Sequence, residues 1–107
     1  PTESTEAGKK FLDQYKAAGF AEPAAAYGGY AYDAAKAIIE AAKTSLKDAK
    51  DVKSARAAEL TALGKVSFDG VTGKVAFDEF GDTTSKILTV YKVDGGKWMA
   101  SKTDTFK

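Results

Sequence analysis

The chain has 107 residues, of which 44% are hydrophobic and 29% charged, a balance typical of one globular domain rather than of a disordered segment. Lys and Arg number 16 against 15 Asp and Glu, so the net charge of +1 gives no basic footprint for nucleic acid or an anionic membrane. The sequence contains no cysteine and no histidine, which removes disulfides, thiolate zinc sites, cysteine nucleophiles and histidine bases. We therefore expect a protein that is not an enzyme and carries no metal or cofactor.

The N-terminal segment lacks the hydrophobic stretch of a signal peptide, and no apolar run in the sequence is long enough to span a bilayer. The chain begins with Pro1 rather than Met. We expect a processed or excised piece of a longer protein, although the end of a cloned segment would look the same.

The first half of the sequence has the apolar periodicity of three helices. A first helix is predicted over residues 2–18, and a second from about residue 30 to residue 46. The second is rich in alanine and carries Asp33 in its first turn, where a carboxylate suits the helix dipole. A third is predicted over residues 52–63, with Asp51 as its N-cap.

After Gly64 the apolar period changes from that of a helix to the two-residue period of strands. Short strands are predicted at residues 66–69 and 74–78. The strongest strand, residues 86–93, is apolar on both faces and needs cover on both sides. A hairpin turn at residues 94–96 leads to a last strand. The sequence therefore predicts a mixed α/β chain, three helices followed by a β-meander.

An acidic cluster precedes the strongest strand and consists of Asp78, Glu79 and Asp82. It could hold a calcium ion or form a carboxylate pair, but it lacks the alternating ligand spacing of a calcium loop. Carboxylates beside a glycine such as Gly81 more often serve a turn. We favour the turn.

Three tyrosines, Tyr27, Tyr30 and Tyr32, crowd the start of the second helix. They cannot all face the core, because neighbouring positions spread around a helix axis. Either one packs inward while the others keep their hydroxyls in water, or they form a platform for an apolar or amphipathic ligand. The residues alone favour the first interpretation.

Several motifs occur together in a defined order. They are Phe11-x-x-x-Tyr15, Tyr27-x-x-x-Ala31-Tyr32-Asp33-Ala34, Phe68-Asp69-Gly70-Val71-Thr72-Gly73, Phe77-Asp78-x-x-Gly81-Asp82 and Val90-Tyr91-x-Val93-x-Gly95-Gly96-Lys97. In this order and spacing they resemble the C-terminal third of the branched-chain amino acid-binding proteins, the extracytoplasmic receptors of ABC importers. Phe80 departs from the small or polar residue that is usual before the Gly-Asp turn.

The resemblance implies the C-terminal portion of a two-lobed fold, the type I periplasmic binding fold, whose lobes close on a small ligand. Residues 1–82 would complete the first lobe, and residues 83–107 would form the hinge crossing and the closing strands toward the second lobe. Tyr32 matches an aromatic residue that lines the ligand cleft in the family, and Tyr30 is a second choice. The residues expected at the hinge are Thr83, Thr84, Ser85 and Lys86.

The resemblance also implies partners and a location. These are an amino acid or related small molecule as ligand, the membrane subunits of an ABC importer, and a place in the periplasm or at the cell surface on a lipid anchor. Because most strands of the receptor's sheet are missing, we expect the chain to associate with the remainder of the receptor or with itself. An alternative from another class is a free-standing α+β module that binds protein through the edge of its meander.

Overall fold

A computed structural model describes residues 2–106. The element order is a 3-10 turn (Thr2–Ser4), α1 (Glu6–Ala17), α2 (Gly28–Ser45), α3 (Val52–Leu63), β1 (Ser67–Gly70), β2 (Gly73–Ala76), β3 (Ile87–Asp94) and β4 (Lys97–Thr105). Three helices followed by strands in a mixed α/β chain is the predicted fold class, and it is confirmed. No helix in this part of the chain is long and apolar enough to cross a membrane.

Local capping signals set the starts of α1 and α3. The Thr5 hydroxyl accepts the Gly8 backbone N–H at 2.9 Å and so caps α1. At α3 the Asp51 carboxylate accepts the Ser54 N–H at 2.7 Å, and the Ser54 hydroxyl accepts the Asp51 N–H in return. This reciprocal pair is a capping box, and it confirms the predicted role of Asp51.

Helix α2 begins at Gly28, two residues earlier than predicted, because its glycines allow close packing against distant parts of the chain. A Cβ on Gly29 would lie 3.0–3.2 Å from side-chain atoms of Thr2 and Val71. The earlier start puts Asp33 beyond the first turn, so the predicted interaction with the helix dipole is wrong. Asp33 is instead buried, with 3% of its surface exposed.

The strands form two antiparallel hairpins rather than one continuous sheet. In the first, β1 pairs with β2, and Phe68 lies opposite Val75. In the second, β3 pairs with β4, with a bulge between Val90 and Tyr91. A single bridge between Phe77 and Thr83 closes the loop that connects the hairpins.

The β3–β4 hairpin has one face without charge. From the register, this uncharged face consists of Ile87, Thr89, Tyr91, Val93, Trp98, Ala100, Thr103 and Thr105. The charged residues of the hairpin lie on the opposite face. Both strands are exposed along their length except for a half-buried Thr89, so residues 2–106 do not supply the cover that β3 was predicted to need.

The core is small and lies between the helices and the first hairpin. Its buried apolar side chains are Phe11, Ala37, Ala41 and Val71. The Ser45 hydroxyl at the end of α2 donates to the Glu59 carboxylate and joins α2 to α3. The radius of gyration is 16.7 Å, against about 13 Å expected for a compact chain of this length. The molecule is therefore extended, and its apolar surface is only partly covered.

Candidate ligand-binding surface

Tyr32 lies on α2 with its ring against Phe11 of α1. The ring centroids are 5.3 Å apart and the planes meet at 53°, a tilted aromatic pair. Tyr32 remains 51% exposed. Within residues 2–106, no protein group hydrogen-bonds its hydroxyl. The residue therefore offers an aromatic surface and a free hydroxyl on a ring that is supported from one side.

The Tyr32 ring is one end of a longer aromatic row, formed by Tyr32, Phe11, Tyr15 and Phe20. Phe11 and Tyr15 have centroids 6.0 Å apart, and Tyr15 and Phe20 have centroids 4.8 Å apart. Phe11 is buried while Phe20 is 62% exposed. From the sequence, Phe20 is expected only as part of a connection, since nothing local indicates that the loop after α1 folds back onto Tyr15.

Tyr30, the second predicted ligand residue, belongs to a separate cluster. Its ring pairs with Tyr27 at 6.5 Å, and both residues are exposed. Two residues apart on a helix are about 200° apart around its axis, so Tyr30 and Tyr32 point in nearly opposite directions. The structure therefore does not bring the two predicted ligand residues onto one surface.

Asp33, the neighbour of Tyr32 on α2, holds the turn between β1 and β2. Its carboxylate accepts the backbone N–H of Val71 and of Thr72, each at 2.8 Å, and the Thr72 hydroxyl at 2.7 Å. A Cβ on Gly70 would lie 2.6 Å from the carboxylate carbon and from both oxygens. We call this arrangement the Asp33 clasp; it requires glycine at position 70.

The same turn is also bound to α1. The Thr5 hydroxyl, which caps α1, donates to the Val71 carbonyl at 3.2 Å. The turn is therefore held by α1 on one side and by α2 on the other. The contact between Phe11 and Tyr32 joins these same two helices, so the position of the Tyr32 ring depends on both of them.

The predicted hinge residues, Thr83 to Lys86, form a short link between the two hairpins, with a bend at Thr84. Near the start of the link, the Thr84 N–H donates to the Ala76 carbonyl at 3.0 Å, which ties the chain to the end of β2. At its end, the Lys86 carbonyl accepts the Phe106 N–H at 2.8 Å, which ties the chain to the second hairpin. Ser85 lies between these two ties, and its N–H donates locally to the Thr83 hydroxyl at 3.2 Å.

The acidic cluster serves a turn in this structure. The Asp78 carboxylate accepts the N–H of Phe80 at 3.0 Å and that of Asp82 at 2.9 Å. Gly81 has a φ of +88°, a conformation that glycine adopts without strain. Among residues 2–106, no group of three acidic, histidine or cysteine side chains lies close enough to hold a metal ion.

Comparison with known proteins gives one family. The model of the family described as the receptor family ligand binding region matches residues 4–96. The match covers the three helices, the first hairpin, the link and β3, and so includes Tyr32, the Asp33 clasp and the predicted hinge. No curated protein and no solved structure matches the chain.

Proposed function

Because this chain belongs to the receptor family ligand binding region, a family of ligand-binding domains like the type I periplasmic binding proteins, we propose that it is part of a solute-binding receptor. The receptor captures an amino acid or a related small molecule for an ABC importer. Its role is binding rather than catalysis, and it needs no cofactor. The order and spacing of the sequence motifs support this finer assignment.

The observation that carries the proposal is the Tyr32 ring. It is half exposed, it rests on a buried phenylalanine, and its hydroxyl has no protein partner in the described chain. Such a ring can cover the apolar part of a ligand and still form one hydrogen bond. Tyr30 stays a second choice, as a contact made from the opposite side of α2.

In this proposal residues 1–82 complete the first lobe, and residues 83–107 cross to the second. The bonds at Ala76 and Phe106 support the crossing, because each fixes one side of the link to a different hairpin. A rotation between the hairpins then falls on the backbone around Ser85. Hinges of binding proteins are short segments of this kind at the ends of elements.

The exposed β3–β4 hairpin supports the proposed partners. Trp98 is 75% exposed and Val93 is 61% exposed on a face without charge. Such a face is unfavourable in water and marks an interaction surface. We assign it to the remainder of the receptor chain or, when that is lacking, to a second copy. The membrane subunits of the importer would bind the closed receptor outside the cytoplasm, in the periplasm or at the cell surface.

The same hairpin suits a second function, a free-standing α+β module that binds a protein partner through its exposed strand edges. The encoding gene separates the two. A reading frame that extends upstream through a signal peptide and a first receptor lobe supports the receptor and removes the module. A reading frame that starts at this segment with its own initiator Met supports the free-standing module and contradicts the receptor.

Ligand capture itself is tested by thermal shift on the complete encoded protein. The panel is the twenty common L-amino acids, each at 1 mM, which is about 100 times a Kd of 10 µM and adds about 2.7 kcal/mol to the free energy of unfolding. We expect a rise of the melting temperature with one chemically related group of amino acids. No rise with any of them would contradict the amino-acid assignment.

A further inference from the structure

We propose that Asp33 is the positioning residue of the ligand site, which acts through Tyr32 by clasping the β1–β2 turn. The inference rests on the proposed function, in which Tyr32 contacts the ligand. Asp33 itself does not touch the ligand; its carboxylate fixes the rotation of α2 and thereby the direction in which Tyr32 points.

The clasp has the geometry that such a role needs. Among the acidic residues that the structure describes, Asp33 is the one with as little as 3% of its surface exposed, and its bonds go to two successive residues of the turn. Two adjacent backbone N–H groups donate to the two carboxylate oxygens, and the Thr72 hydroxyl donates to one of them. Together these bonds fix both the distance and the orientation of the carboxylate relative to the turn. A rotation of α2 about its own axis would break these bonds together.

Both supports of the Tyr32 ring converge on this turn. The backbone of Tyr32 is fixed through Asp33, its neighbour on α2. The ring rests on Phe11, and the helix that carries Phe11 is bound to the turn through Thr5 and the Val71 carbonyl. Loss of the clasp therefore changes the distance between the two helices that the Tyr32 ring joins.

The β1–β2 hairpin also connects the clasp to the hinge. The turn that Asp33 holds leads directly into β2, and the last residue of β2, Ala76, accepts the Thr84 N–H. The first hairpin is thus the common support of the ligand residue and of the near side of the hinge. A displacement of the clasp should reach both.

The test compares Asp33→Asn with Asp69→Asn. The second change removes the same charge one residue before Gly70, where the carboxylate is exposed and has only a 3.9 Å contact to Lys74. Each chain is labelled with 3-fluorotyrosine, and the Tyr32 signal among the five tyrosines is assigned with Tyr32→Phe. Spectra and amide exchange are recorded at a temperature at which circular dichroism shows every variant to be folded.

We expect Asp33→Asn to move the Tyr32 fluorine resonance toward that of free fluorotyrosine. The amides of Val71 and Thr72 should exchange at least about tenfold faster, since a buried bond to a charged group is lost. The Thr84 amide should follow, whereas amides within β3–β4 should not change. Asp69→Asn should leave all of these signals as in the wild type.

A lower melting temperature with an unmoved Tyr32 resonance would overturn the proposal, because Asp33 would then contribute to stability alone. If Asp33→Asn does not fold, Thr72→Val and Thr72→Ser replace it, since valine removes one donor of the clasp and serine keeps it. In the valine variant the Tyr32 fluorine resonance should move in the same direction by a smaller amount. In the serine variant it should return to its wild-type position. Equal spectra for the two would also overturn the proposal.

These readouts need no ligand, so their failure is distinct from that of the proposed function. An amino-acid panel without a hit refutes the amino-acid ligand and leaves the fluorine result as it is. A Tyr32 fluorine resonance that stays in place when the clasp is disrupted refutes the positioning role, whatever the amino-acid panel shows.

Discussion

The replacement of Gly70 by alanine is the sharpest test of the packing around Asp33. The added Cβ would lie 2.6 Å from three atoms of the Asp33 carboxyl group, far closer than a van der Waals contact. Gly70 is not among the glycines with a positive φ, so alanine can adopt its backbone conformation. The substitution therefore acts only by a steric clash, which pushes the Asp33 carboxylate away from the turn.

Its cost follows from the bonds that the carboxylate would lose. Hydrogen bonds to charged groups contribute about 1.5–3 kcal/mol each, and bonds of one cluster do not add fully. With partial relaxation of the turn, we expect Gly70→Ala to lower the free energy of unfolding by about 2–4 kcal/mol. That is a large share of the 5–15 kcal/mol that is typical of a domain.

The assay is urea unfolding followed by circular dichroism, with Gly64→Ala as the matched control. A Cβ on Gly64 would meet no atom closer than 3.8 Å, and its backbone is right-handed helical. We expect that control to be neutral or to stabilise the chain by up to about 1 kcal/mol. A Gly70→Ala variant within about 0.5 kcal/mol of the wild type would refute the packing argument.

A double-mutant cycle identifies the group that the new methyl meets. Asp33→Ala removes the carboxyl group and leaves room, so Gly70→Ala should cost less than about 1 kcal/mol in that background. An unchanged cost there would show that the methyl collides with some other group and that Asp33 is not the cause.

Three further predictions concern other parts of the chain. Hydrogen bonds from Ser54 hold the pKa of Asp51 below its ordinary value of 3.8. The ionised Asp51 therefore stabilises α3 above pH 3.8, and this stabilisation is lost as the pH falls through the lower pKa of the folded state. An acid titration followed by circular dichroism should show this loss in the wild type, and an identical titration curve for Asp51→Ala would contradict it. Backbone order parameters from ¹⁵N relaxation should have their minimum at Ser85, and uniform values along the link would argue against a hinge there. Trp98→Ser, on the uncharged face, should reduce self-association in sedimentation more than Met99→Ser on the opposite face; equal effects would show that the uncharged face is not the contact.

Features with local causes could be predicted from the sequence. The N-cap at Asp51 and the end of α3 at Gly64 depend on residues a few positions apart, so both were predicted, although the reciprocal bond from Ser54 was not. The two-residue period after Gly64 likewise identified the strands, and Gly95 and Gly96, both with positive φ, form the predicted turn of the second hairpin.

Features with distant causes could not be predicted. The partners of Asp33 lie 38 and 39 residues away along the chain. From the local sequence, the carboxylate was therefore expected to interact only with the dipole of its own helix. The early start of α2 also involves distant residues. Gly29 packs closely against Thr2 and Val71, and nothing near Gly29 in the sequence indicates these partners. Gly70, directly before the Val-Thr turn, is the residue in the sequence that could have indicated the close approach of Asp33.

The candidate site was predicted in part. The sequence indicated Tyr32 through a family resemblance, and the structure places it on the aromatic row with half of its surface open. Helix geometry already separates Tyr30 from Tyr32 by about 200° around the axis of α2. The sequence could not tell which of the two packs against Phe11, because that contact joins two helices that are distant along the chain. The role of either tyrosine in binding stays a prediction.

The most direct test of the account is calorimetric titration of the complete encoded receptor with the amino acid that stabilises it most. Burial of the open half of Tyr32 against a ligand removes roughly 100 Å² of surface from water. At about 25 cal/mol per Å² this contributes about 2.5 kcal/mol, so Tyr32→Ala should raise the Kd about sixtyfold. Tyr30→Ala, on the opposite side of α2, should change the Kd less than about threefold. An unchanged Kd for Tyr32→Ala would contradict the central claim that the ligand binds against this ring.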